Sequence, residues 1–341
     1  MAFQKVSEII KEAPAFAQLT DLAAARLGGK VLYATDDFFA EKENLIQPGR
    51  GIFITDKYTD RGKWMDGWES RRKRTPGHDW CVVQLATTGT IAGFDIDTNF
   101  FLGNHPPHAS IEAALIEDAS GITDWESVPW EELLPQSPLD PGSQNFYECA
   151  SEKAWSHLRL HIYPDGGVAR LKVYGTVVKD WSRVAPDEEV DLAAAINGGQ
   201  AIGCNDMFFS SMSNLIMPGR GVNMGDGWET KRNRTPGNRD WVILRLAHPG
   251  SIRRAVVDTA HFKGNYPDRC SLEACHAPTD EDALENHADW YPLLPEQKLE
   301  ADSIHEFTKE LTSDAVFTHV RLTIYPDGGV SRLRLFGTPT R

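Results

Sequence analysis

One long pattern occurs twice in this chain, and that duplication constrains the fold more than any other feature. Asp66-Gly67-Trp68-Glu69 is followed by Arg71, Arg72 and Arg74, then by Thr75-Pro76-Gly77. The second half returns Asp226-Gly227-Trp228-Glu229, then Lys231, Arg232 and Arg234, then Thr235-Pro236-Gly237. Other blocks recur around it in the same order: Asp21 to Ala25 with Asp191 to Ala195, and Pro48 to Gly51 with Pro218 to Gly221. A repeat this long implies two copies of one folding unit, and 341 residues suffice for two cores. The boundaries read as an N-terminal helical extension over 1–19, a first repeat over 20–176, a linker over 177–189 and a second repeat over 190–341. The linker is acidic and contains proline. The first repeat alone carries an insertion, within Ile52 to Lys63.

Most of each repeat reads as strand. Trp80 to Ala86 alternates, with Cys81, Val83 and Leu85 on one face, and Trp241 to Ala247 is its counterpart. Thr90 to Asp97 and Ser251 to Asp258 read as a second pair of strands. Ser110 to Glu117 and Ser271 to His276 read as a third. Each repeat closes on alternating runs around Pro164-Asp165-Gly166-Gly167 or Pro326-Asp327-Gly328-Gly329, which predicts a β-hairpin. Asp21 to Ala25, ending at Gly28-Gly29, predicts a short capped helix, and Val6 to Ala17 and Leu19 to Leu27 are helix-prone. The fold class is all-β: two tandem jelly-roll β-sandwiches with a short N-terminal helical segment. The order of parts resembles galactose-binding-like sandwiches, in which ligands meet the loops at one end.

Composition excludes some partners. The net charge is −14, which argues against a nucleic-acid or anionic-membrane footprint but permits a small anionic ligand held by local arginines. Five cysteines without a CxxC pair read as free thiols in a reducing compartment. The N-terminal stretch has neither the basic start nor the apolar run of a signal peptide, so the expectation is a cytoplasmic protein. No apolar run is long enough to cross a bilayer.

The repeated motif is where chemistry is expected. Arginine binds a carboxylate through two parallel hydrogen bonds. A carboxylate can accept two N–H bonds from a ureido group or act as a base toward water. An indole offers a flat wall. On that basis Glu69, Asp66 and His105 are the catalytic candidates. Arg50, Trp68, Arg72, Arg74, Asn104, Arg220, Trp228, Glu229, Arg232 and Arg234 are the substrate-binding candidates. The alternative is structural: Asp66 and Glu69 could pair with the arginines and cap a turn, and Asn104 could simply adopt a left-handed turn. His105 occurs only in the first repeat, where the second has Tyr266. Glu112, His157 and His161 are further polar strand residues. No His/Cys/carboxylate cluster has zinc spacing, so no metal site or cofactor is read, although a weakly held divalent ion stays open.

At these residues the sequence resembles the allantoicase (allantoate amidinohydrolase) family. The resemblance rests on the doubled Pro-Gly-Arg-Gly, the Asp66 to Gly77 and Asp226 to Gly237 blocks, Asp79-Trp80 and Asp240-Trp241. It also rests on Asp97 to Asn104 with Asp258 to Asn265, and on Tyr163 to Gly167 with Tyr325 to Gly329. His261 stands where Phe100 does, so that block is looser. The resemblance covers essentially the whole chain. It implies hydrolysis of allantoate to ureidoglycolate and urea in the use of purines as a nitrogen source. It also implies two jelly rolls and a homo-oligomer, with allantoate as the small-molecule partner. The competing class is a non-catalytic tandem galactose-binding-like module that binds a small molecule or glycan.

Overall fold

The computed structural model describes residues 13–285 and 287–340. The helical reading from Val6 therefore begins outside the described residues, and its described end is one 3-10 turn, Ala15–Gln18. Two compact units divide the chain, Met1–Val178 and Lys179–Arg341. Each is a two-layered β-sandwich organised on a single long strand.

In the first unit that strand is Asp79–Asp97, 19 residues long. Its first half pairs with Lys30–Ala34 and Ala154–Tyr163, and its second half with Arg170–Val177 and Gln144–Glu148. One layer extends through His108–Ala114 to Glu131–Pro138, and the other ends on Thr20–Asp21. Every second residue points inward. Cys81, Val83, Leu158, Leu160 and Ile111 from one layer meet Phe94, Ile96, Leu171 and Val173 from the other in one buried cluster. Each such aliphatic side chain removed from water contributes about 1.5–3 kcal/mol, so packing sustains the fold and the polar loops need only be positioned by it. The second unit repeats this plan on Asp240–Asp258.

Three expectations change. The two strands read on either side of Gly89 are one continuous strand. A Cβ on Gly89 would lie 2.7 Å from Leu22 Cδ1 and from Thr176 O, so glycine marks a close approach at a bend rather than a break. The closing hairpin is not a hairpin. Ala154–Tyr163 and Arg170–Val177 pair with different halves of the long strand, not with each other. The Asp-Gly signal correctly marks a tight turn, but the chain uses it to cross between layers. The segment in between, Gly167–Val168, pairs with Trp68–Glu69 instead. Gly329–Val330 does the same with Trp228–Glu229. Finally, the helix at Asp21 is a strand followed by a 3-10 turn, Ala25–Leu27. The Asp21 carboxylate accepts from Val173 N at 3.0 Å as well as from Ala23 N at 3.2 Å, so it is committed across the sheet. Asp191 does likewise with Leu335 N at 3.0 Å.

The insertion of the first repeat folds into a two-rung hairpin, Tyr58–Thr59 against Gly62–Lys63, with Tyr58 exposed.

Candidate functional site

The doubled motif divides into a buried frame and an exposed set. Trp68 and Trp228 belong to the frame. Both are fully buried, and each indole N–H donates to a main-chain oxygen, Asp36 O or Asp206 O, at 2.8 Å. They anchor the motif from behind instead of forming a wall for a ligand. Asp66 is also committed. Its Oδ2 accepts from Ile52 N at 2.9 Å and from Arg170 Nη2 at 2.8 Å, which closes the loop carrying the insertion. A carboxylate held by an almost fully buried arginine is poorly placed as a base. Arg50 binds Asp97 through Nε at 2.7 Å and Nη2 at 2.8 Å, and Asp97 is fully buried. Arg220 repeats this on Asp258. These two arginines tie the Pro-Gly-Arg-Gly turns to the long strands and are not free anion anchors.

What remains is a carboxylate with its partner. Glu69 is held by its main chain on both sides, through Glu69 N to Ala40 O at 3.1 Å and through the pairing with Gly167. Asn104 reaches it from another loop, its Nδ2 donating to Glu69 Oε1 at 2.7 Å. That loop rests on the crossing turn. Gly167 N donates to Asn104 O at 2.8 Å, and a Cβ on Gly166 would stand 2.6 Å from the same oxygen. Gly166 also has φ +137, so glycine is required there twice over. The second repeat matches: Asn265 Nδ2 donates to Glu229 Oε1, and Gly329 N donates to Asn265 O at 2.9 Å. Partial burial pushes the Glu69 carboxyl above its usual range, and the Asn104 hydrogen bond only partly offsets this.

Arg72, Arg74, Arg232 and Arg234 are exposed, and none pairs with a carboxylate among the described residues. Their segment is held from below by main-chain contacts: Lys73 N donates to Asp165 Oδ2 at 2.7 Å, and Asn233 N to Asp327 Oδ2 at 2.8 Å. In the second repeat Glu229, Arg232, Arg234 and Asn265 line one cleft of about 490 Å³, with Phe209 and Tyr266 beside them. That is the size range of a small-molecule site. Tyr266 occupies the place of His105, which is half-buried in the first repeat with Nδ1 unpartnered among the described residues.

Comparison with known proteins identifies the family of the chain. The family model described as Allantoicase repeat matches residues 20–178 and 190–340. The chain belongs to the allantoicase family. It is 52% identical over 328 residues to a probable allantoicase of Pseudomonas savastanoi pv. phaseolicola, covering 96% of this chain and 98% of that protein. It is 52% identical over 324 residues to a probable allantoicase of Photobacterium profundum, covering 94% and 97%. The crystal structure of allantoicase from Saccharomyces cerevisiae superposes with a TM-score of 0.79 at 37% identity, covering 93% of this chain and 92% of that one. A second allantoicase structure gives 0.81 at 36% identity, covering 94% and 93%.

Two parts of this candidate site are not evident from the sequence. Asp165 and Asp327 were read as turn residues, yet their carboxylates place the arginine segment. Asp36 and Asp206 accept from Arg71 N at 3.0 Å and Lys231 N at 2.8 Å and fix its other end. Both pairs were visible as repeated aspartates, but their targets lie far along the chain. Among the described residues no three His, Cys, Asp or Glu side chains gather into a metal-binding group.

Proposed function

We propose that this protein hydrolyses allantoate to ureidoglycolate and urea, and that the Glu-Asn-Arg-Arg set of the repeated motif carries the reaction. The observation that supports this best is the second-repeat cleft, which Glu229 and Asn265 line together with the exposed Arg232 and Arg234. Allantoate carries one carboxylate and two ureido groups on one carbon. An arginine fork suits the carboxylate, and a carboxylate-amide pair suits a ureido N–H edge. In the net reaction the water oxygen bonds to the central carbon, and the bond from that carbon to one ureido nitrogen breaks. That nitrogen leaves as urea with one proton more, and the second proton of water stays on the new hydroxyl. A carboxyl with a raised pKa, as at Glu69, suits a group that gives the proton to the leaving nitrogen and recovers one from water. His105, next to Asn104, is a second proton donor in the first repeat alone.

The reading includes a cytoplasmic setting, supported by five free cysteines, and self-association, supported by the exposed Phe208, Phe209 and Val222. It assigns no cofactor. The test is to incubate the purified chain with allantoate and to measure urea and ureidoglycolate, with and without added divalent metal. Urea release in step with ureidoglycolate is expected. Binding without turnover under both conditions would overturn the reading in favour of a binding module.

A further inference from the structure

The second repeat has another cavity, of about 450 Å³, on the outward face of its strands and separate from the cleft above. Three neighbouring strands supply its floor in two rows. Trp241 and Ser271 flank Thr323, and Ile243 and Glu273 flank Arg321. The first repeat presents the same rows, with Trp80 and Ser110 flanking His161, and Val82 and Glu112 flanking Arg159.

The two faces share their fixed polar groups. Arg321 Nε donates to Glu273 Oε2 at 2.9 Å, as Arg159 Nε does to Glu112 Oε2 at 2.7 Å. Ser271 and Tyr325 hydroxyls lie 3.0 Å apart, and Ser110 and Tyr163 hydroxyls 2.8 Å. They differ in what fills the space. In the first repeat two imidazoles occupy it. His161 Nε2 lies 2.7 Å from Glu112 Oε2, and His161 Nδ1 lies 2.8 Å from His78 Nε2. In the second repeat Thr323 and Arg239 stand at those positions, and the room is open. Arg239 is exposed and makes no ion pair among the described residues.

The imidazole chain of the first repeat shows what the open face would accept. A planar group lies beside a tryptophan and presents a polar N–H edge to the glutamate. Its far end reaches the position that Arg239 holds in the second repeat. We propose that the cavity is a second ligand site, selective for a small carboxylate bearing a planar ureido or amide group. The N–H edge of the ligand meets Glu273, its plane lies along Trp241, and its carboxylate pairs with Arg239. The ligand class is argued from the groups of this cavity and does not depend on which residues carry hydrolysis.

The probe is N-carbamoylglycine, which has one ureido group and one carboxylate and lacks the doubly substituted carbon of allantoate. It is titrated calorimetrically into the full chain. The double variant Arg239→His, Thr323→His restores the filling found in the first repeat and is expected to lose one class of sites per chain. Glu273→Gln keeps the shape of the cavity and should weaken that class about 10- to 100-fold, as expected for one charged hydrogen bond. Glu229→Gln, in the other cleft, should leave it in place. Unchanged stoichiometry and affinity in the refilled variant and in Glu273→Gln would overturn the proposal. So would a wild-type chain that binds no probe while refilling alters its oligomeric mass, since the face would then be a subunit contact. If the double variant fails to fold, Glu273→Gln alone decides. Binding is read without turnover, so failure here is distinguishable from failure to hydrolyse allantoate.

Discussion

Replacing Glu69 by glutamine tests the assignment most directly. Glutamine keeps the size, the main-chain pairing with Gly167 and an oxygen to accept from Asn104. It removes only the exchangeable proton and the charge. Positioned general acid–base groups typically contribute 10²- to 10⁴-fold, or about 2.7–5.5 kcal/mol of transition-state stabilisation. Turnover of allantoate should fall within that range, while KM should move much less because the arginines are untouched. The assay is initial-rate urea release over a range of substrate concentration, with Glu229→Gln run in parallel. A large loss in only one variant names the working repeat, and comparable losses in both mean that each repeat contributes. Less than a tenfold loss in both would refute the role given to this carboxylate. The pH profile adds a sharper condition. Burial raises the Glu69 pKa, and the Asn104 amide favours the ionised form. Asn104→Ala should therefore raise the pKa further and move the limb of the rate profile set by Glu69 to higher pH. A limb that stays in place, or moves down, would mean that another group sets it.

The other predictions follow from the frame and the exposed arginines. Arg72→Ala and Arg74→Ala, with Arg232→Ala and Arg234→Ala, should leave thermal stability near wild type and weaken kcat/KM by roughly 30- to 1000-fold for any arginine that meets the carboxylate. Equal kinetics in all four would remove them from the site. Arg170→Ala leaves the Asp66 carboxylate without its buried partner and should cost about 3–5 kcal/mol in denaturant unfolding, far more than an exposed-arginine change. Asp95 is fully buried, and desolvation first, then the neighbouring Asp97, push its pKa up to about 7 from 3.8. The folded state therefore holds that proton more tightly than the unfolded chain. The associated stability is greatest below the unfolded pKa and is lost as pH rises through about 7. Asp95→Asn should stabilise the fold above that range by on the order of 2–4 kcal/mol, seen as a higher Tm, and have little effect below pH ~4. A Tm gain that is the same at both ends would contradict the linkage.

The parts that were legible in the sequence are those written in local order. The duplication is a match of one string with another, and the strand alternation from Trp80 to Ala86 and the tight turn at Asp165-Gly166 rest on neighbours within a few residues. Partnership was not legible. Asp66 and Arg170 lie 104 positions apart, Arg50 and Asp97 lie 47 apart, and no spacing rule relates them. The same limit explains the crossing turn. A tight turn between two alternating runs predicts pairing of those runs when only their order is known. Here each run finds a longer partner in opposite halves of Asp79–Asp97, and the turn is left free to pair with Trp68–Glu69. Glu69 and Asn104 were both candidates, but only the fold shows that they meet.

The two copies separate frame from chemistry in a way one copy could not. Residues kept in both and buried have a sufficient physical reason to be there: Trp68 with Trp228 fills a core, Asp97 with Asp258 holds an arginine, and Arg170 with Arg332 holds Asp66 or Asp226. Asp95, which accepts from Gln144 Nε2 at 2.6 Å, is not shared: Val256 stands in its place. The exposed arginine pairs, Arg72 with Arg232 and Arg74 with Arg234, have no packing reason, because solvated arginines without partners add little to stability. Glu69 goes further, since its desolvation costs free energy that a stability argument would have the chain avoid. Surface carboxylates on a two-residue strand are readily replaced without harm to a sandwich. A carboxylate kept half-buried and hydrogen-bonded to an amide carried on a second loop, beside arginines that make no ion pair among the described residues, is what the proposed reading accounts for and a stability argument does not.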